Sequence, residues 1–327
     1  MIISVALCTY NGEKYIEQQL ESIFIQSVAV SEIVVCDDCS SDSTVQKIKQ
    51  MSFLHPNVIR LVTNPYNMGF RKNFEKALRE CQGDYIFFCD QDDIWNPDKV
   101  EKSIAYLKSS GNYGLFTDAE LIDRDNKEIG KSLFECMNVF QYINKRNLYP
   151  DLLATLCLSD NFVTGATVAV SKEAKPILIP SWPSDGLYHD YYVALKLSAI
   201  GKFGYLTDKL ISYRIHPSQQ TGVLIDSSKK IHLFDYNPDT DRQDVLGFLL
   251  RRRERTLYIS SECKLCQTER KKLKILYREY FCSVIKGIPI PSRLKVFLLY
   301  CKTELYVATY PTLRRCWISI TNSRLIS

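Results

Sequence analysis

The sequence lacks a long hydrophobic run, and no stretch approaches the roughly 20 apolar residues that a membrane-spanning helix requires. Its first ten residues, MIISVALCTY, also lack the basic segment with which secretory signal peptides begin. Hydrophobic residues make up 46% of the 327 residues and charged residues 24%, which argues against a disordered or fibrous chain. We therefore expect a globular protein that stays in the cytoplasm.

Disulfide bonds are not expected, although the sequence has 12 cysteines. Many of them lie in apolar runs of a chain without an export signal, which indicates reduced and mostly buried thiols. Two CxxC pairs, Cys36/Cys39 and Cys263/Cys266, resemble the two halves of a zinc site. Because roughly 220 residues separate the pairs, we interpret them as a coincidence in a cysteine-rich chain.

Charge is distributed unevenly along the chain, whose net charge is +5. Residues 251–327 carry 17 lysines and arginines against 5 acidic residues, so this tail has a net charge of +12 and the remainder −7. An acidic body is suited to holding a metal, and a basic tail to lying on an anionic membrane or nucleic acid. We therefore predict a main domain at 1–225 and a basic helical region at 226–327.

Strands and helices alternate through the first 120 residues. Short β-branched apolar runs predict strands at residues 2–7, 32–36, 58–62 and 85–89. Apolar residues spaced by three and four predict helices at 12–24, 42–49, 71–81 and 97–107. This alternation is typical of an α/β fold with a Rossmann-like, mostly parallel sheet flanked by helices, in which ligands bind at the carboxyl ends of the strands.

The later part of the chain is less regular. Here the pattern predicts a strand at 164–171, a helix at 190–200 and short strands at 203–206 and 211–214. After about residue 226, a polar linker leads to two basic helices, at 251–286 and 292–310. The second of these helices has an apolar stripe along one face.

Polar loops at residues 9–12, 37–42 and 90–95 follow three of the predicted strands, and the last two are crowded with carboxylates. Like charges this close raise one another's pKa unless a cation lies between them, and Mg²⁺ or Mn²⁺ prefers carboxylate and phosphate oxygens. The Asp-x-Asp pattern of Asp90 and Asp92 therefore indicates a metal-bound diphosphate. The alternative is that these are turn and capping aspartates, the role we expect for Asp42 at a helix start.

Four segments match a known family in their order and spacing: VALCTYNGEKYIEQQLESI, EIVVCDDCSSDST, NPYNMGFRKNFEKAL and GDYIFFCDQDDIW. They resemble the inverting, metal-dependent glycosyltransferases of family 2, which have the GT-A fold, and in particular bacterial transferases that build O-antigen or capsule. The resemblance covers roughly residues 1–222. It implies a catalytic domain with a nucleotide-sugar half at about 1–120 and an acceptor half at about 121–225.

The resemblance implies a donor site made from the strand-end loops. The implied donor-binding residues are Thr9, Tyr10, Asn11, Glu13, Asp37, Asp38, Asn67, Gly69, Arg71, Asn73, Asp90, Gln91 and Arg214. Asp38, with Asp37, matches the acidic pair that reads the pyrimidine base and the ribose. Asp90 and Asp92 match the motif for Mn²⁺ or Mg²⁺, with Asp92 as the direct ligand. Where this chain has Cys39 the family usually has glycine, which allows φ > 0, so the geometry of this turn is open.

The similar enzymes also carry an acidic general base about 100 residues after the metal motif. We predict Asp190 for this role, because transfer with inversion requires a group that takes the proton of the acceptor hydroxyl. A plain helix N-cap is the alternative for Asp190, and His189 is a second candidate base. The residues expected on the acceptor side are Asp93, Trp95, Gly165 and His189.

Two of the remaining expectations carry alternatives. Trp95 either packs on a sugar face or belongs to the core. In the YRxH segment, Arg214 is expected to hold phosphate as a charged fork, and His216 to bind the metal or contact the diphosphate. The alternative for this segment is a surface turn before Pro217.

The acceptor implied by the resemblance is a saccharide on a polyprenyl diphosphate in the inner membrane. The basic tail fits that expectation, because a basic amphipathic helix can lie on an anionic bilayer surface. It would place the protein peripherally on the cytoplasmic face of the membrane. The alternative is a helix packed on the catalytic domain or on a second subunit. No nucleic-acid-binding fold accompanies the RRRER run at 251–255, so we do not expect a nucleic acid partner.

The leading hypothesis is an inverting hexosyltransferase that uses UDP-glucose or UDP-galactose. A dTDP-rhamnose-dependent rhamnosyltransferase is the alternative donor class, because users of either nucleotide share these loops. A nucleotide-sugar-binding protein without catalysis and a membrane-surface scaffold are the non-enzymatic alternatives. The sequence leaves the linkage and the oligomeric state open.

Overall fold

The computed structural model describes residues 1–137, 139–140, 152–158, 161–182, 187–217 and 219. The chain divides into two compact units, Met1–Asn144 with Asn161–Lys229 and Lys145–Asp160 with Lys230–Ser327. The strands all belong to the first unit. The predicted boundary at 225/226, the basic helices at 251–286 and 292–310, and the Cys263/Cys266 pair lie outside the described residues.

The first half of the sheet is built from parallel strands separated by helices. Its elements are β1 (Ile3–Thr9), α1 (Ile16–Phe24), β2 (Glu32–Asp37), α2 (Thr44–Leu54), β3 (Ile59–Thr63), α3 (Phe70–Glu80) and β4 (Tyr85–Cys89). β1 pairs in parallel with both β2 and β4, and β2 pairs in parallel with β3. All seven residues of β1 are buried, as expected for a central strand of a sheet covered on both faces.

The second half adds shorter and mixed elements. In chain order they are β5 (Ile94–Trp95), α4 (Lys99–Ser110), β6 (Gly114–Ile122), β7 (Glu128–Ser132), α5 (Leu133–Cys136), α6 (Leu152–Leu158), β8 (Ala169–Ser171), α7 (Lys175–Leu178), α8 (His189–Ala199) and β9 (Phe203–Arg214). α6 is part of the second compact unit. A 3₁₀ turn, Gly165–Thr167, precedes β8.

The strands form one sheet in the order β3-β2-β1-β4-β8-β6-β9-β5, with β7 paired to β6. β8 is antiparallel to both β4 and β6, whereas β6 and β9 are parallel. The end of β9 pairs with the two-residue strand β5, which follows the acidic loop after β4. The topology therefore brings the YRxH segment to the acidic loop across more than 100 residues of chain.

The prediction of a mostly parallel α/β sheet is confirmed, and β1 to β4 lie within two residues of their predicted positions. β6 was not predicted, and β9 is one strand of 12 residues instead of two short ones. The pattern failed to predict β6 because the strand contains a buried carboxylate, Asp118, among apolar residues. It is 3% exposed and accepts the N–H groups of Ala119 and Phe134, so a polar residue interrupts the apolar pattern without breaking the strand.

Candidate active site

The carboxyl ends of β1, β2 and β4 lie at one edge of the sheet because these strands are parallel neighbours. The three predicted polar loops therefore meet there. The N–H of Asp38 donates to the carbonyl of Thr9 at 2.8 Å. Gln91 bridges the first and third loops, since its Oε1 accepts the N–H of Tyr10 at 2.8 Å and its Nε2 donates to the Tyr10 carbonyl at 3.1 Å.

The Asp37 carboxylate is committed to hydrogen bonds within the protein. It is 1% exposed and accepts from the Thr9 hydroxyl at 2.8 Å. The N–H of Ser40 donates to its Oδ1 at 2.9 Å and the Ser40 hydroxyl to its Oδ2 at 2.5 Å. Asp37 thus holds the turn after β2, and its hydrogen-bonding capacity is used there instead of being presented to a nucleotide.

Asp38 has a similar role toward the next loop. It is 3% exposed, and its Oδ1 accepts from the Asn64 side chain at 2.9 Å and from the N–H of Met68 at 2.8 Å. Its Oδ2 accepts the N–H of Gly69 at 2.8 Å. Gly69 has φ +82, a left-handed conformation that glycine adopts without strain, just before α3 begins. Asp38 therefore fixes the start of α3.

The other residues predicted around this loop divide into buried and accessible ones. Asn73 is 1% exposed and donates to the carbonyl of Cys36 at 2.7 Å, while its Oδ1 accepts from Asn64 at 2.9 Å. Asn67 is exposed and accepts the N–H of Gly69 at 3.0 Å, and Arg71 is half-buried in the first turn of α3. Asn73 is thus part of the framework, and Asn67 and Arg71 lie at the accessible rim.

The turn after the acidic pair keeps a left-handed residue although it lacks glycine. Cys39 has φ +67 and is exposed, and Asn11 in the facing loop has φ +49. Asn11 and the second loop are joined in both directions, because the N–H of Asn11 donates to Ser40 Oγ and the N–H of Ser41 donates to Asn11 Oδ1, both at 2.9 Å. The turn therefore keeps its left-handed conformation, although this chain has Cys39 where the family usually has glycine.

The start of α2 is bonded to the first loop. Glu13 Oε2 accepts the N–H of Ser43 at 2.8 Å, and the N–H of Glu13 donates to Asp42 at 3.1 Å. Asp42 also accepts the N–H of Thr44 at 3.0 Å, but the N-cap of α2 is Ser43, so the predicted N-cap role of Asp42 is wrong by one residue. Tyr10, which is 38% exposed, is accessible at this edge.

Asp90 is where negative charge concentrates. Burial, the largest cause, and the charges of Asp92 and Asp190 together raise the pKa of Asp90 to about 7, against the opposing charge of Lys99. Carboxylates that destabilise one another in this way are suited to a divalent cation. Among the described residues no group of three His, Cys, Asp or Glu side chains forms a ready cage. Asp90 and Asp92 would therefore hold a cation whose remaining ligands are phosphate and water oxygens.

Asp92 pairs with the histidine of the YRxH segment. His216 Nε2 lies 2.8 Å from Asp92 Oδ2, and the two side chains are 8% and 14% exposed. The ring of Tyr15 lies 5.0 Å from the His216 ring, between centroids. His216 is therefore placed to contact a cation or diphosphate at Asp92, and carboxylate and imidazole together form a donor set that Mn²⁺ accepts.

Arg214 does not lie where the prediction of a phosphate-binding fork requires it. Its side chain is 0% exposed, and Nε donates to the carbonyl of Asp92 at 2.7 Å. The remaining guanidinium nitrogens donate to Gln18 at 2.9 Å, Asn126 at 2.5 Å and the carbonyl of Asp123 at 3.2 Å. Because its donors are used inside the protein, we correct the assignment: Arg214 braces the acidic loop.

Two residues predicted for the acceptor side are also buried. Asp93 is 1% exposed and accepts the N–H of Arg214 at 2.9 Å, and burial with the charges of Asp92 and Asp90 raises the pKa of Asp93. Trp95 is 1% exposed, with its ring 5.6 Å from that of Phe87. A side chain without accessible surface cannot contact a sugar, so the structure favours the core alternative for Trp95 and a framework role for Asp93.

Asp190 stands at the start of α8 with its carboxylate held from three sides. Its Oδ1 accepts from the Asn161 side chain at 2.9 Å and the N–H of Tyr191 at 2.5 Å, and its Oδ2 accepts the N–H of Gly165 at 3.1 Å. Burial raises the pKa of Asp190 to about 7 in spite of these bonds, which lower it. A carboxylate with this pKa can take up a proton near neutral pH, as a general base must.

His189 is unsuited to the alternative role of base. It is 6% exposed, its ring stacks on Phe74 at 3.9 Å, and burial lowers the pKa of His189 to about 3. Both ring nitrogens lack a hydrogen-bond partner among the described residues. A Cβ on Gly165 would lie 2.4 Å from His189 Nε2, so this glycine lets the backbone reach Asp190 past the ring. Gly165 therefore positions Asp190, and the His189 ring packs in the aromatic core behind this turn.

Three residues important in this arrangement were not singled out from the sequence: Asn64, Lys99 and Asn161. Asn64 and Asn161 gave no local signal, because their partners Asp38 and Asp190 are 26 and 29 residues away. Lys99 did give one. A lysine in the first turn of a helix opposes the helix dipole, which indicates that some other negative charge compensates it.

The family model described as "Glycosyl transferase family 2" matches residues 4–174, just over half of the chain, including β1–β4 and both acidic loops. The chain belongs to glycosyl transferase family 2. This membership confirms the resemblance seen in the sequence and makes the chain a glycosyltransferase by family.

Relatives of this family 2 glycosyltransferase match part of the chain, from 40% to 68% of its length for the two described here. An uncharacterized glycosyltransferase of Haemophilus influenzae is 27% identical over 227 residues, which is 68% of each chain. WfgD of Escherichia coli, named as a UDP-Glc:alpha-D-GlcNAc-diphosphoundecaprenol beta-1,3-glucosyltransferase, is 33% identical over 130 residues. That match covers 40% of this chain and only half the length of WfgD.

Solved structures share the fold at low sequence identity. Residues 1–349 of Staphylococcus aureus TarS superpose with a TM-score of 0.55 at 18% identity, covering 98% of this chain and 79% of that one. TarS in complex with UDP-GlcNAc gives 0.51. The mannosyltransferase PcManGT of Pyrobaculum calidifontis, in complex with GDP-Man and Mn²⁺, gives 0.50 at 15% identity and covers 97% of this chain and 85% of its own. These similarities confirm the GT-A fold. No helix in the described part of the chain is long and apolar enough to cross a bilayer.

Proposed function

We propose that this family 2 glycosyltransferase transfers a hexose from a UDP-sugar to a lipid-linked saccharide, with inversion and with Mn²⁺ or Mg²⁺ as cofactor. The observation that carries the proposal is the electrostatic proximity of Asp190 to the acidic loop. Burial raises the pKa of Asp190 to about 7, and the charge of Asp190 contributes to the raised pKa of Asp90. A general base thus lies within electrostatic range of the residues assigned to the metal and the diphosphate.

On the donor side, the accessible residues of the three loops receive the nucleotide. Tyr10, Asn11, Asn67 and Arg71 lie at the rim, and Asp37, Asp38 and Asn73 keep the loops in place behind them. Asp90 and Asp92 would hold the divalent cation, and His216, beside Asp92, would contact the cation or the diphosphate. The cation would offset the charge that develops on the leaving diphosphate. TarS has been solved with UDP, and PcManGT with GDP-Man and Mn²⁺; both complexes support a nucleotide donor, and the second supports a divalent metal.

On the acceptor side, Asp190 takes the proton of the attacking hydroxyl. Asn161, Gly165 and Tyr191 fix the carboxylate, so its orientation is set before the acceptor binds. The acceptor oxygen, once this base takes its proton, bonds to the anomeric carbon from the side opposite the diphosphate, whose bond to that carbon breaks. This single displacement inverts the anomeric carbon.

The name of WfgD supports a lipid-linked acceptor, because it specifies a saccharide on diphosphoundecaprenol. We therefore place the reaction in bacterial O-antigen or capsular polysaccharide synthesis, at the cytoplasmic face of the membrane. The basic region at 226–327 is the part of the chain suited to that surface by its charge.

The first experiment is calorimetric titration of the full chain with UDP and with dTDP, each with and without Mn²⁺. We expect Mn²⁺-dependent binding of UDP and none of dTDP. Metal-dependent binding of dTDP alone would instead support the rhamnosyltransferase alternative, and binding of neither by folded protein would contradict the donor site.

Transfer is then tested with labelled UDP-glucose and UDP-galactose on a polyprenyl-diphosphate-linked N-acetylhexosamine. Asp92→Ala should abolish product, and proton NMR of the product made by the unchanged chain should show the inverted anomer. Glu173→Ala is the matched control, because this side chain is exposed and follows Ser171, which pairs with Tyr85 at the end of β4 opposite the acidic loop. Full activity of Asp92→Ala would contradict the assigned metal role.

A further inference from the structure

A buried lysine lies close to the acidic loop. Lys99 begins α4 and is 0% exposed. Its Nζ donates to the carbonyl of Ala166 at 2.7 Å and lies 4.3 Å from the centroid of the Trp95 ring. Its immediate partners are thus a neutral carbonyl and an aromatic face.

This position is unfavourable for a cation unless negative charge compensates it. Transfer of an ammonium group from water into a protein interior is costly, and the amino end of a helix repels a positive charge. The compensation comes from the acidic loop. Burial lowers the pKa of Lys99 to about 8, and Cys89, Asp93 and Asp90 oppose that change when they are ionised, so most Lys99 side chains carry a positive charge at pH 7.

Geometry places the lysine beside this loop, because its Nζ lies over the ring of Trp95 at the end of the loop, and its charge acts on Asp90 and Asp93 there. The loop that is assigned to the divalent cation therefore has a positive charge of the protein next to it at pH 7. A second cation that enters this loop experiences repulsion from the first.

We propose that Lys99 is a fixed counter-cation of the acidic loop, which weakens binding of a free divalent cation and makes metal binding depend on the donor diphosphate. The inference rests on the proposed function, since it concerns the same metal and donor. The diphosphate brings additional negative charge to the loop, and this charge restores the affinity that Lys99 removes. The free protein then binds little metal, and metal and nucleotide enter together.

Lys99 also has a structural contact that the test must separate from its charge. Ala166 belongs to the turn Gly165–Thr167, whose first residue donates to Asp190. Loss of the bond from Lys99 to this turn could therefore disturb the base by itself. Lys99→Gln keeps a donor for the carbonyl without the charge, Lys99→Met removes both, and Lys99→Arg keeps the charge.

The experiment is titration of Mn²⁺ by electron paramagnetic resonance at pH 7, in the absence and the presence of UDP, on the full chain and the three variants. We expect Lys99→Gln and Lys99→Met to bind Mn²⁺ alone about tenfold more tightly than the unchanged chain, and the enhancement by UDP to shrink by about the same factor. Lys99→Arg should behave like the unchanged chain. A purely structural role would weaken Mn²⁺ binding instead of tightening it.

Two outcomes overturn the proposal in distinguishable ways. Normal binding of Mn²⁺ with UDP, without tighter binding of Mn²⁺ alone in Lys99→Gln, overturns the role of Lys99 and leaves the proposed function intact. Absence of any Mn²⁺ and UDP binding in the unchanged chain overturns both. Circular dichroism identifies a variant that fails to fold. If Lys99→Met fails to fold, Lys99→Gln decides the result.

Discussion

Two pairs of aspartates serve the same cleft in opposite ways. Asp37 and Asp38, after β2, accept six hydrogen bonds from the described residues and hold the loops around them. Asp90 and Asp190, after β4 and at the start of α8, have pKa values raised to about 7 by burial and, for Asp90, also by neighbouring charges. One pair maintains shape, and the other stores unfavourable charge that a proton or a cation can relieve.

The difference shows that burial alone does not determine what an aspartate does. Donors that point at a carboxylate stabilise its charged form, whereas burial beside other carboxylates destabilises it. The first arrangement contributes to stability, whereas the second lowers it, which is the pattern expected of groups placed for chemistry.

Among changes to these two pairs, the largest expected effect comes from Asp190→Asn, which keeps the shape of the side chain and removes the proton acceptor. We expect the rate of transfer to fall by about 10²- to 10⁴-fold, with Mn²⁺-dependent UDP binding unchanged. Labelled-sugar transfer and calorimetry measure the two quantities. Loss of UDP binding in this variant would instead assign Asp190 to the framework.

The pH profile of kcat/KM tests the same residue without a substitution. A base with a pKa of about 7 must be deprotonated to act. At saturating Mn²⁺, which keeps Asp90 ionised, activity should therefore fall about tenfold per pH unit below pH 7 and reach a plateau above it. The profile is measured with donor and acceptor far below saturation. A flat profile between pH 5 and pH 8 would contradict the assignment.

The two pairs should respond to substitution with opposite signs of stability change. Asp38→Ala leaves buried donors of Asn64, Met68 and Gly69 without an acceptor, and we expect a loss of about 2–4 kcal/mol in the free energy of unfolding. Asp90→Asn removes a destabilised charge, and we expect a gain of about 1 kcal/mol at pH 8 after allowance for partial exposure. Urea denaturation measures both. If both substitutions changed the free energy of unfolding in the same direction, the distinction between the two pairs would be wrong.

The pH dependence of stability sharpens this distinction. Between the ordinary carboxyl pKa of about 4 and the folded value of about 7, the folded chain binds a proton at Asp90 that the unfolded chain does not. Stability contributed at this site is therefore lost as pH rises through that window, by at most about 1.4 kcal/mol per pH unit. The free energy of unfolding is measured from pH 4 to pH 8 for the unchanged chain and for Asp90→Asn. The difference between the two values should change with pH by this slope.

The smallest effect concerns the turn beside the first pair. Cys39→Gly relieves a left-handed residue at φ +67, and glycine loses more backbone entropy on folding, so we expect a net gain of about 0.5 kcal/mol or less. Cys39→Ala is the control, since it keeps a side chain at the same φ and should bring no gain. Thermal melts of the two variants compare them directly.

The sequence carried enough information for the parallel half of the sheet and for the three polar loops. There, apolar strand runs and the periodicity of α1 and α3 are local signals. It was not sufficient to predict that the side chains of Arg214 and Trp95 are buried, because their partners are distant in the chain. The donors of Arg214 are used by Asp92, Asp123 and Gln18, which are 122, 91 and 196 residues away, and no local pattern distinguishes such a residue from a phosphate ligand.

The bonds between Arg214 and the acidic loop also have a consequence for biosynthesis. The N–H of Arg214 reaches Asp93 across 121 residues of chain. At a translation rate of about 5–20 residues per second, the ribosome takes roughly 6–24 s to make that interval. A nascent chain that has already paired β1 to β4 therefore still holds an unbraced acidic loop, and the cleft is completed only when β9 leaves the ribosome.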